Sequence, residues 1–473
     1  MSWVAQEFET LDLGDARLNK RAVLLAERLA AKPTASIPNA CSNWTETIAA
    51  YRFLSNDRLS WEDVMQPHWQ ASIQRMAPHP LVLCLQDTTE LDYNGQQMQG
   101  LGPLSYEAQR GMYLHPTYVI TPQREPLGVT DAWMWAREPK PVDGQRPGVV
   151  ESLRWIESYE RIAEQAAQLP QTRHVCISDR EADIMALLER AHELDYPADY
   201  LVRCKHNRVL PEGGKLWQNV MDSAPLGCVR FEIAAGRGRK ARSVKQEVRV
   251  RRVVVKDSRQ GRIEVSCLIA TEIDPPPGVQ PVVWRLLSNR QAVTLEQACE
   301  LIDWYRARWE IELFFLVLKE GCQVQRLQLG NTQALQTALA LYMVIAWRIN
   351  RLMRLGRTLP ELPADLLFET EEWHAAFILN KKKPPKEVPQ LNTVLRLIAQ
   401  RGGFLARKGD GEPGAKTIWL GMQDVAAFVA GVRYMREAGP QLLPYFDIPL
   451  QHAHPEVLTR MGRPFANDPR RVV

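Results

Sequence analysis

Four polar residues interrupt the apolar stretch IDWYRARWEIELFFLVLK, which runs from Ile302 to Lys319: Tyr305, Arg308, Glu312 and Lys319. At about 100° per residue they fall within an arc of about 60°, on one face of a helix. Asp303 and Glu310 fall near the opposite side. A solvent face, or an i,i+4 pair between Arg308 and Glu312, would account for part of this pattern. A solvent face alone would not require apolar residues on most of the remaining circumference. Two further acids stand at the ends of apolar runs: Asp87 after LVLCLQ, and Asp179 after HVCIS. A carboxylate at the end of a buried strand is costly unless something compensates it. Two or three such groups together repel, and a divalent cation relieves that repulsion. Mg2+ suits oxygen donors of this kind, and a pair of such ions assists in-line phosphoryl displacement. Taken singly, each Asp reads more readily as an ordinary turn or cap residue. Spacing alone does not bring Asp87, Asp179 and Glu312 together.

The elements that would position these groups follow from periodicity. Asp15 is a candidate N-cap for a helix that reaches Lys32 and stops at Pro33, with Leu18, Ala22, Leu25, Ala26 and Leu29 on one side. Arg17, Lys20, Arg21 and Arg28 form a stripe on another side. That stripe suits a DNA backbone, and equally an exposed amphipathic helix. Asn43 and Glu46 have capping-box spacing at the start of a second helix. PLVLCL (80–85) and RHVCIS (173–178) read as strands buried on both faces. With TYVITP, EPLGVTDAWMW and a helix over 149–168 they make an α/β layout. From 200 to about 287 the pattern becomes strand-like, with no strong helix. Helical patterning returns at Thr294, where Thr294 and Gln297 have capping-box spacing, and it dominates thereafter.

The chain has 473 residues and a formal net charge of +4, with 45% hydrophobic and 24% charged residues, an ordinary globular composition. Its charge is uneven: Phe231 to Arg262 holds eleven Lys/Arg against three Asp/Glu. Such a local excess is a nucleic-acid footprint or a solvated loop. Eight cysteines without a CxxC pair argue against a zinc ribbon or a secreted disulfide scaffold, which leaves a reducing cytoplasm as the expected compartment. No signal peptide is legible at the N-terminus. The longest apolar run, Ala338 to Trp347, is shorter than the ~20 residues of a membrane span. P-loop, HExxH and GxSxG patterns are absent, so the sequence gives ATPase, zincin and α/β-hydrolase readings no support. His452-x-His454 is an isolated pair in the tail.

DREAD (179–183), together with Tyr305-x2-Arg308-x3-Glu312-x6-Lys319, resembles the Y-R-E-K signature of the Tn-five-like branch of bacterial cut-and-paste DDE transposases. QDTTELDY looks like the first-Asp motif of that family, and YLVRCKH and PVVWRLL match its pattern. The resemblance implies an α/β fold with an RNase H-like catalytic core, a β-rich insertion, and helical domains at both ends. The expected layout is a DNA end-recognition domain at 1–70, core at 71–199, basic insertion at 200–288, the second part of the core with the Glu312 helix at 289–370, and a dimerisation region at 371–473. It also implies that Asp87, Asp179 and Glu312 bind two Mg2+ ions, for which Mn2+ may stand in. Tyr305, Arg308 and Lys319 would contact DNA near the cleavage site. Trp284 matches an aromatic that stacks on a flipped base, with an interior strand Trp as the alternative. Arg203 and Lys205 match a basic DNA-contacting pair, with a solvated strand edge as the alternative. Arg17, Lys20 and Arg21 would contact phosphates. The implied partners are double-stranded transposon ends with inverted repeats, target DNA, and a second copy of the chain in a homodimer, with no membrane. Rival readings are a metal-dependent DNA nuclease on the same fold and a catalytically inactive DNA-binding inhibitor of transposition.

Overall fold

The computed structural model describes residues 2–438 apart from 142–143, 145, 149, 234–240 and 259–260. His452-x-His454 and the middle of the basic segment lie outside the described residues. Five helices open the chain: α1 (Trp3–Glu7), α2 (Ala16–Ala31), α3 (Ile37–Ala40), α4 (Trp44–Leu54) and α5 (Trp61–Met76). Asp15 caps α2 by accepting from Arg17 N, and Ala22, Leu25, Ala26 and Leu29 form its buried face, as their spacing predicts. Asn43 accepts from Glu46 N. The Glu46 carboxylate bonds Ser42 N at 2.9 Å and Arg28 at 3.0 Å, so it takes Arg28 out of the free basic stripe.

Glu7 ties α1 to α5. Its carboxylate forms a fork with Arg75 at 2.9 Å and faces His68 Nδ1 at 2.5 Å. Val129 N donates to His68 Nε2 at 3.0 Å, so the single proton of the neutral ring sits on Nδ1 and points at Glu7. Burial lowers the pKa of His68. Burial works against the Glu7 charge, yet His68 and Arg75 outweigh it and hold the carboxyl at about 2 against its usual 4.5. Both folded values lie below the unfolded ones, so both contributions are present at high pH and lost on acidification. Stability should therefore fall as pH drops below 6.5 and again between 4.5 and 2. The Glu7 part is worth on the order of 3 kcal/mol. Denaturant melts across pH 7 to 3, compared with Glu7→Gln, test this: the variant should have lost most of the lower-pH slope.

Eleven strands follow: β1 (Leu81–Gln86), β2 (Thr89–Asp92), β3 (Gly102–Pro103), β4 (Arg110–Ile120), β5 (Pro126–Trp135), β6 (Arg173–Ser178), β7 (Asp199–Arg203), β8 (Gly227–Ile233), β9 (Arg242–Lys256), β10 (Arg262–Glu272) and β11 (Val283–Ser288). They form one sheet, with β5-β4-β1-β6-β7 continuing through β11-β10-β9-β8, while β2 and β3 also pair with β4. β1 is antiparallel to β4 and parallel to β6, and β6 is parallel to β7. β1 and β6 are buried on both faces because alternate side chains feed two cores. Leu83, Leu85, Val175 and Ile177 join one core, and Val82, Cys84 and Cys176 join the other. The second core is closed by α6 (Leu153–Gln168) and α7 (Met185–Glu193).

The 200–287 region is strand-rich as its patterning predicts, although a short helix, α8 (Leu216–Met221), interrupts it. Its strands extend the core sheet, because β11 pairs antiparallel with β7, Leu286 opposite Arg203. That part of the sheet curls. Three strand spacings would separate β8 from β11 by about 14 Å in a flat sheet, yet Phe231 and Trp284 stack with centroids 5.7 Å apart.

The returning helices are α9 (Leu295–Ala307), α10 (Glu310–Leu316), a π turn (Val317–Gly321), α11 (Thr332–Thr358), α12 (Thr370–Leu379), α13 (Leu391–Arg401) and α14 (Ala415–Ala438). Thr294 and Gln297 form the complete capping box that their spacing predicts. α11 contains the Ala338–Trp347 run and is buried along most of its length. Among the described residues no helix is long and apolar enough to cross a membrane. α13 and α14 meet at two glycines. A Cβ on Gly402 would lie 1.9 Å from Thr417 O, and one on Gly421 1.8 Å from Ile398 O.

Candidate active site

The sheet register brings the first two acids together. β1 and β6 run parallel, with Leu85 opposite Ile177. Asp87 and Asp179 each follow two residues beyond that pair, and Asp87 lies within electrostatic reach of Asp179. Leu85 and Ile177 belong to the core that also contains the apolar residues of α9 and α10. Asp87 sits in the break where β1 ends and β2 begins, and Thr88 N donates to its Oδ1 at 2.8 Å. Asp179 caps the turn over Arg180–Ala182 by accepting from Glu181 N at 2.7 Å.

The stretch from Ile302 to Lys319 is three segments and not one regular helix. α9 ends at Ala307, and the chain then tightens: Ile311 N bonds Arg308 O at 3.1 Å and Glu312 N bonds Trp309 O at 3.2 Å, both i→i−3. After α10 it widens into the π turn that carries Lys319. Arg308 therefore does not pair with Glu312. Its guanidinium forms an ion pair with Asp87, 221 residues away in sequence. Burial works against the Arg308 charge, yet Asp87, Tyr305 and Asp179 outweigh it and raise its pKa. Lys319 is lowered by burial, against the opposing pull of Glu90, Glu312 and Glu320. Asp87 senses all its neighbours. Burial pushes its carboxyl up to about 6, with Arg308 opposing and Asp179 and Glu312 adding to the rise. Asp87 thus lies within electrostatic reach of Arg308, Asp179 and Glu312, Lys319 lies within reach of Glu312, and Tyr305 is buried 6.0 Å from the Arg308 guanidinium.

Glu310 does not lie on a solvent side. It is buried, and both its carboxylate oxygens bond Arg354 of α11. Asp303 is on the outside, paired with Arg306 at 3.2 Å. Arg306 in turn lies 5.5 Å from the Phe231 ring, which stacks on Trp284. Trp284 is half-buried and belongs to a layered contact between the curled sheet and α9. Arg203 donates to Val283 O at 3.5 Å, next to Trp284. Lys205 is exposed, and its loop hangs on Asp183, the last acid of DREAD. Asp183 accepts from Lys205 N at 2.6 Å and His206 N at 2.8 Å, and pairs with Arg208 at 2.5 Å. In α2, far from these groups in sequence, Lys20 is exposed, Arg21 is half-buried, and Arg17 is exposed beside Asp15.

Two residues escaped the sequence reading. Trp309, in the tightened turn beside Arg308, is 64% exposed, an unusual position for an indole. Arg154 of α6 has a buried side chain, 7% exposed, and bonds the segments that follow both strand-end acids. Neither stands out in sequence, because neither lies on a periodic polar face.

The donor set is three carboxylates, one of which resists ionisation in its surroundings. That chemistry fits a hard divalent cation, which would favour the ionised form of Asp87. With Arg308 on Asp87, no three His, Cys, Asp or Glu side chains among the described residues form a ready ligand cluster. A groove of about 1210 Å3 lies elsewhere, along β5 between α5 and α6, and is lined by Trp61, Trp69, Trp133 and Trp135.

Residues 1–59 match the family model described as transposase DNA-binding, and residues 344–440 match that of the transposase Tn5 dimerisation domain. At both ends, therefore, the chain resembles a Tn5-like transposase. Among solved structures it resembles a piggyBac transposase synaptic complex with hairpin DNA, at 9% identity and a TM-score of 0.35 over 93% of this chain and 80% of that one. No inference follows from so loose a superposition. The ribosomal protein uS12 methylthiotransferase RimO of Nitratidesulfovibrio vulgaris is 75% identical over 40 residues, 8% of this chain and 9% of that protein. RimO of Oleidesulfovibrio alaskensis is 69% identical over 42 residues, 9% and 10% respectively. The chain thus spans about a tenth of the length of these curated relatives, too little to carry over a methylthiotransferase activity.

Proposed function

We propose that this transposase moves DNA by cut-and-paste through metal-dependent phosphoryl transfer, with Asp87, Asp179 and Glu312 as the metal-binding carboxylates of an RNase H-like core. The observation that carries the reading is the meeting of three distant segments. β1 and β6, which precede Asp87 and Asp179, pair side by side, Arg308 from the α9–α10 junction pairs with Asp87, and Asp87 senses the charges of Asp179 and Glu312. The order β5-β4-β1-β6-β7, three antiparallel strands followed by two parallel ones, supports the RNase H-like assignment.

Two Mg2+ ions, or Mn2+ in their place, would supply positive charge at the attacking and leaving oxygens of the phosphodiester. The protein's own groups bind and orient. Arg308 leaves Asp87 for a backbone phosphate, where its planar fork holds two oxygens. Lys319 adds a point charge, and Tyr305 offers its hydroxyl. Trp284, held by Phe231 and near Arg203, presents a ring on which an extruded base stacks. Lys205 contributes charge from the loop anchored by Asp183, and the α2 face with Arg17, Lys20 and Arg21 meets phosphates of the element end. Water nicks one strand and frees a 3′-OH. That hydroxyl attacks the opposite strand to close a hairpin and release the flank. Water reopens the hairpin, and the 3′-OH then joins target DNA. In each step a P–O bond to the attacking oxygen, of water or of a 3′-OH, replaces the P–O bond to a departing 3′-oxygen. The 344–440 domain would pair two copies over the two ends.

A test is incubation of the full chain with DNA carrying its flanking inverted repeats and Mg2+. The expected products, in sequence, are a nick, an end hairpin and a joined target. Nicking without joining would leave a nuclease, and end binding without turnover in Mg2+ or Mn2+ would leave an inhibitor. A separate expectation concerns Lys319→Ala. End binding should weaken for every end sequence alike, and the slope of log K against log salt should flatten by about 1. Filter binding across 50–300 mM salt would read this, and an unchanged slope would remove Lys319 from the phosphate contacts.

A further inference from the structure

The β1–β6 ladder stops at Leu85 opposite Ile177. Gln86 and Ser178 continue the link through side chains, with Ser178 Oγ donating to Gln86 Oε1 at 3.2 Å. Beyond them no backbone pairing joins the segment of Asp87 to that of Asp179, so something else must fix the separation of the two carboxylates. One side chain spans the gap. Arg154 Nε donates to Thr88 Oγ1 at 3.0 Å, Nη2 donates to Glu181 Oε2 at 2.6 Å, and Nη1 donates to Glu151 O of its own helix start at 2.6 Å. Thr88 follows Asp87, and Glu181 donates its backbone N–H to Asp179 at 2.7 Å. His115 secures the near side, with Nδ1 2.9 Å from the Thr88 hydroxyl. The guanidinium is itself held, 5.0 Å from the Trp155 ring and 5.5 Å from that of Trp135.

We infer that Arg154 is a positioning residue for the metal site: a buried three-way clamp that sets the spacing of Asp87 and Asp179 without touching either carboxylate. This rests on the assignment of those acids as metal ligands. The clamp requires a guanidinium. Its three donors lie in one rigid fork aimed at acceptors on three segments, a geometry that a lysine ammonium on a flexible stem does not reproduce. Groups that orient ligands from behind typically change metal affinity by about 10–100-fold when removed.

The test is Mn2+ binding by the full chain without DNA, read as free Mn2+ by electron paramagnetic resonance, alongside a thermal melt. Arg154→Ala should weaken Mn2+ binding by about 10-fold or more. Arg154→Lys should restore the melt but not the affinity, and millimolar methylguanidinium should recover part of the Arg154→Ala loss. A loss of stability alone would not respond to methylguanidinium in this way. Mn2+ affinity within about twofold of the parent in a folded Arg154→Ala chain would overturn the inference. Should that variant not fold, Glu181→Gln serves instead, since its side chain is 58% exposed. A severalfold loss supports the clamp, and unchanged affinity removes it. Asp87→Asn and Asp179→Asn separate the two levels. If they bind Mn2+ like the parent, the metal-site assignment fails and the clamp fails with it. If they lose binding while the Arg154 and Glu181 variants keep it, only the clamp fails.

Discussion

Replacing Asp87, Asp179 or Glu312 with alanine is expected to abolish Mg2+-dependent cleavage of element ends, by about 10^3-fold or more, which corresponds to at least about 4 kcal/mol of barrier. End binding should stay within a few-fold of the parent, because phosphate contacts dominate affinity for DNA and these three groups are acids. Asp87→Ala has a second expected consequence. It frees Arg308, whose ion pair with Asp87 it removes, so this variant should bind DNA no more weakly than Glu312→Ala. Cleavage and gel-shift assays on one labelled end decide both points. Full cleavage by any of the three variants would remove that residue from the metal site.

Glu310→Ala should cost about 3–5 kcal/mol of stability, because it strands the Arg354 guanidinium, 14% exposed, without its carboxylate partner. Glu310 is only two residues from Glu312, yet its role is different. It fastens α10 to α11, so its loss should lower the denaturant midpoint, and activity should fall with the folded fraction. The double substitution E310M/R354L should recover most of the stability, since well-packed apolar residues commonly replace a buried ion pair without loss. No partner change should rescue Glu312→Ala. A Glu310→Ala chain as stable as the parent would show that the buried pair contributes nothing net.

The contrast between Glu310 and Glu312 shows where sequence reading succeeds and where it stops. β1 and β6 were legible because both their faces are buried, which leaves continuous apolar runs that end in Asp87 and Asp179. The caps at Asp15 and Thr294 were legible because a cap depends on near neighbours in the chain. The shared face of Tyr305, Arg308, Glu312 and Lys319 was visible, but its partners were not. A uniform turn angle fails where the chain tightens at Arg308 and widens at Val317. It therefore allowed an Arg308–Glu312 pair and set Glu310 beside Asp303 on the side opposite the polar face. The joining of β11 to β7 was hidden because a register between strands over 80 residues apart leaves no local trace. Arg154 and Asp183 were hidden for the same reason, since each acts on segments remote in sequence.

The ion pair between Arg308 and Asp87 makes the loading of the proposed site an exchange of cations. A divalent ion approaching Asp87 competes with a guanidinium already bonded there, and the exchange becomes more favourable when that guanidinium gains another anion. The phosphate backbone of an element end is such an anion. Metal affinity and DNA affinity are then two readings of one coupled equilibrium, each raising the other by the same factor. A free chain would hold its cutting chemistry in check through nothing more than the charge of its own arginine.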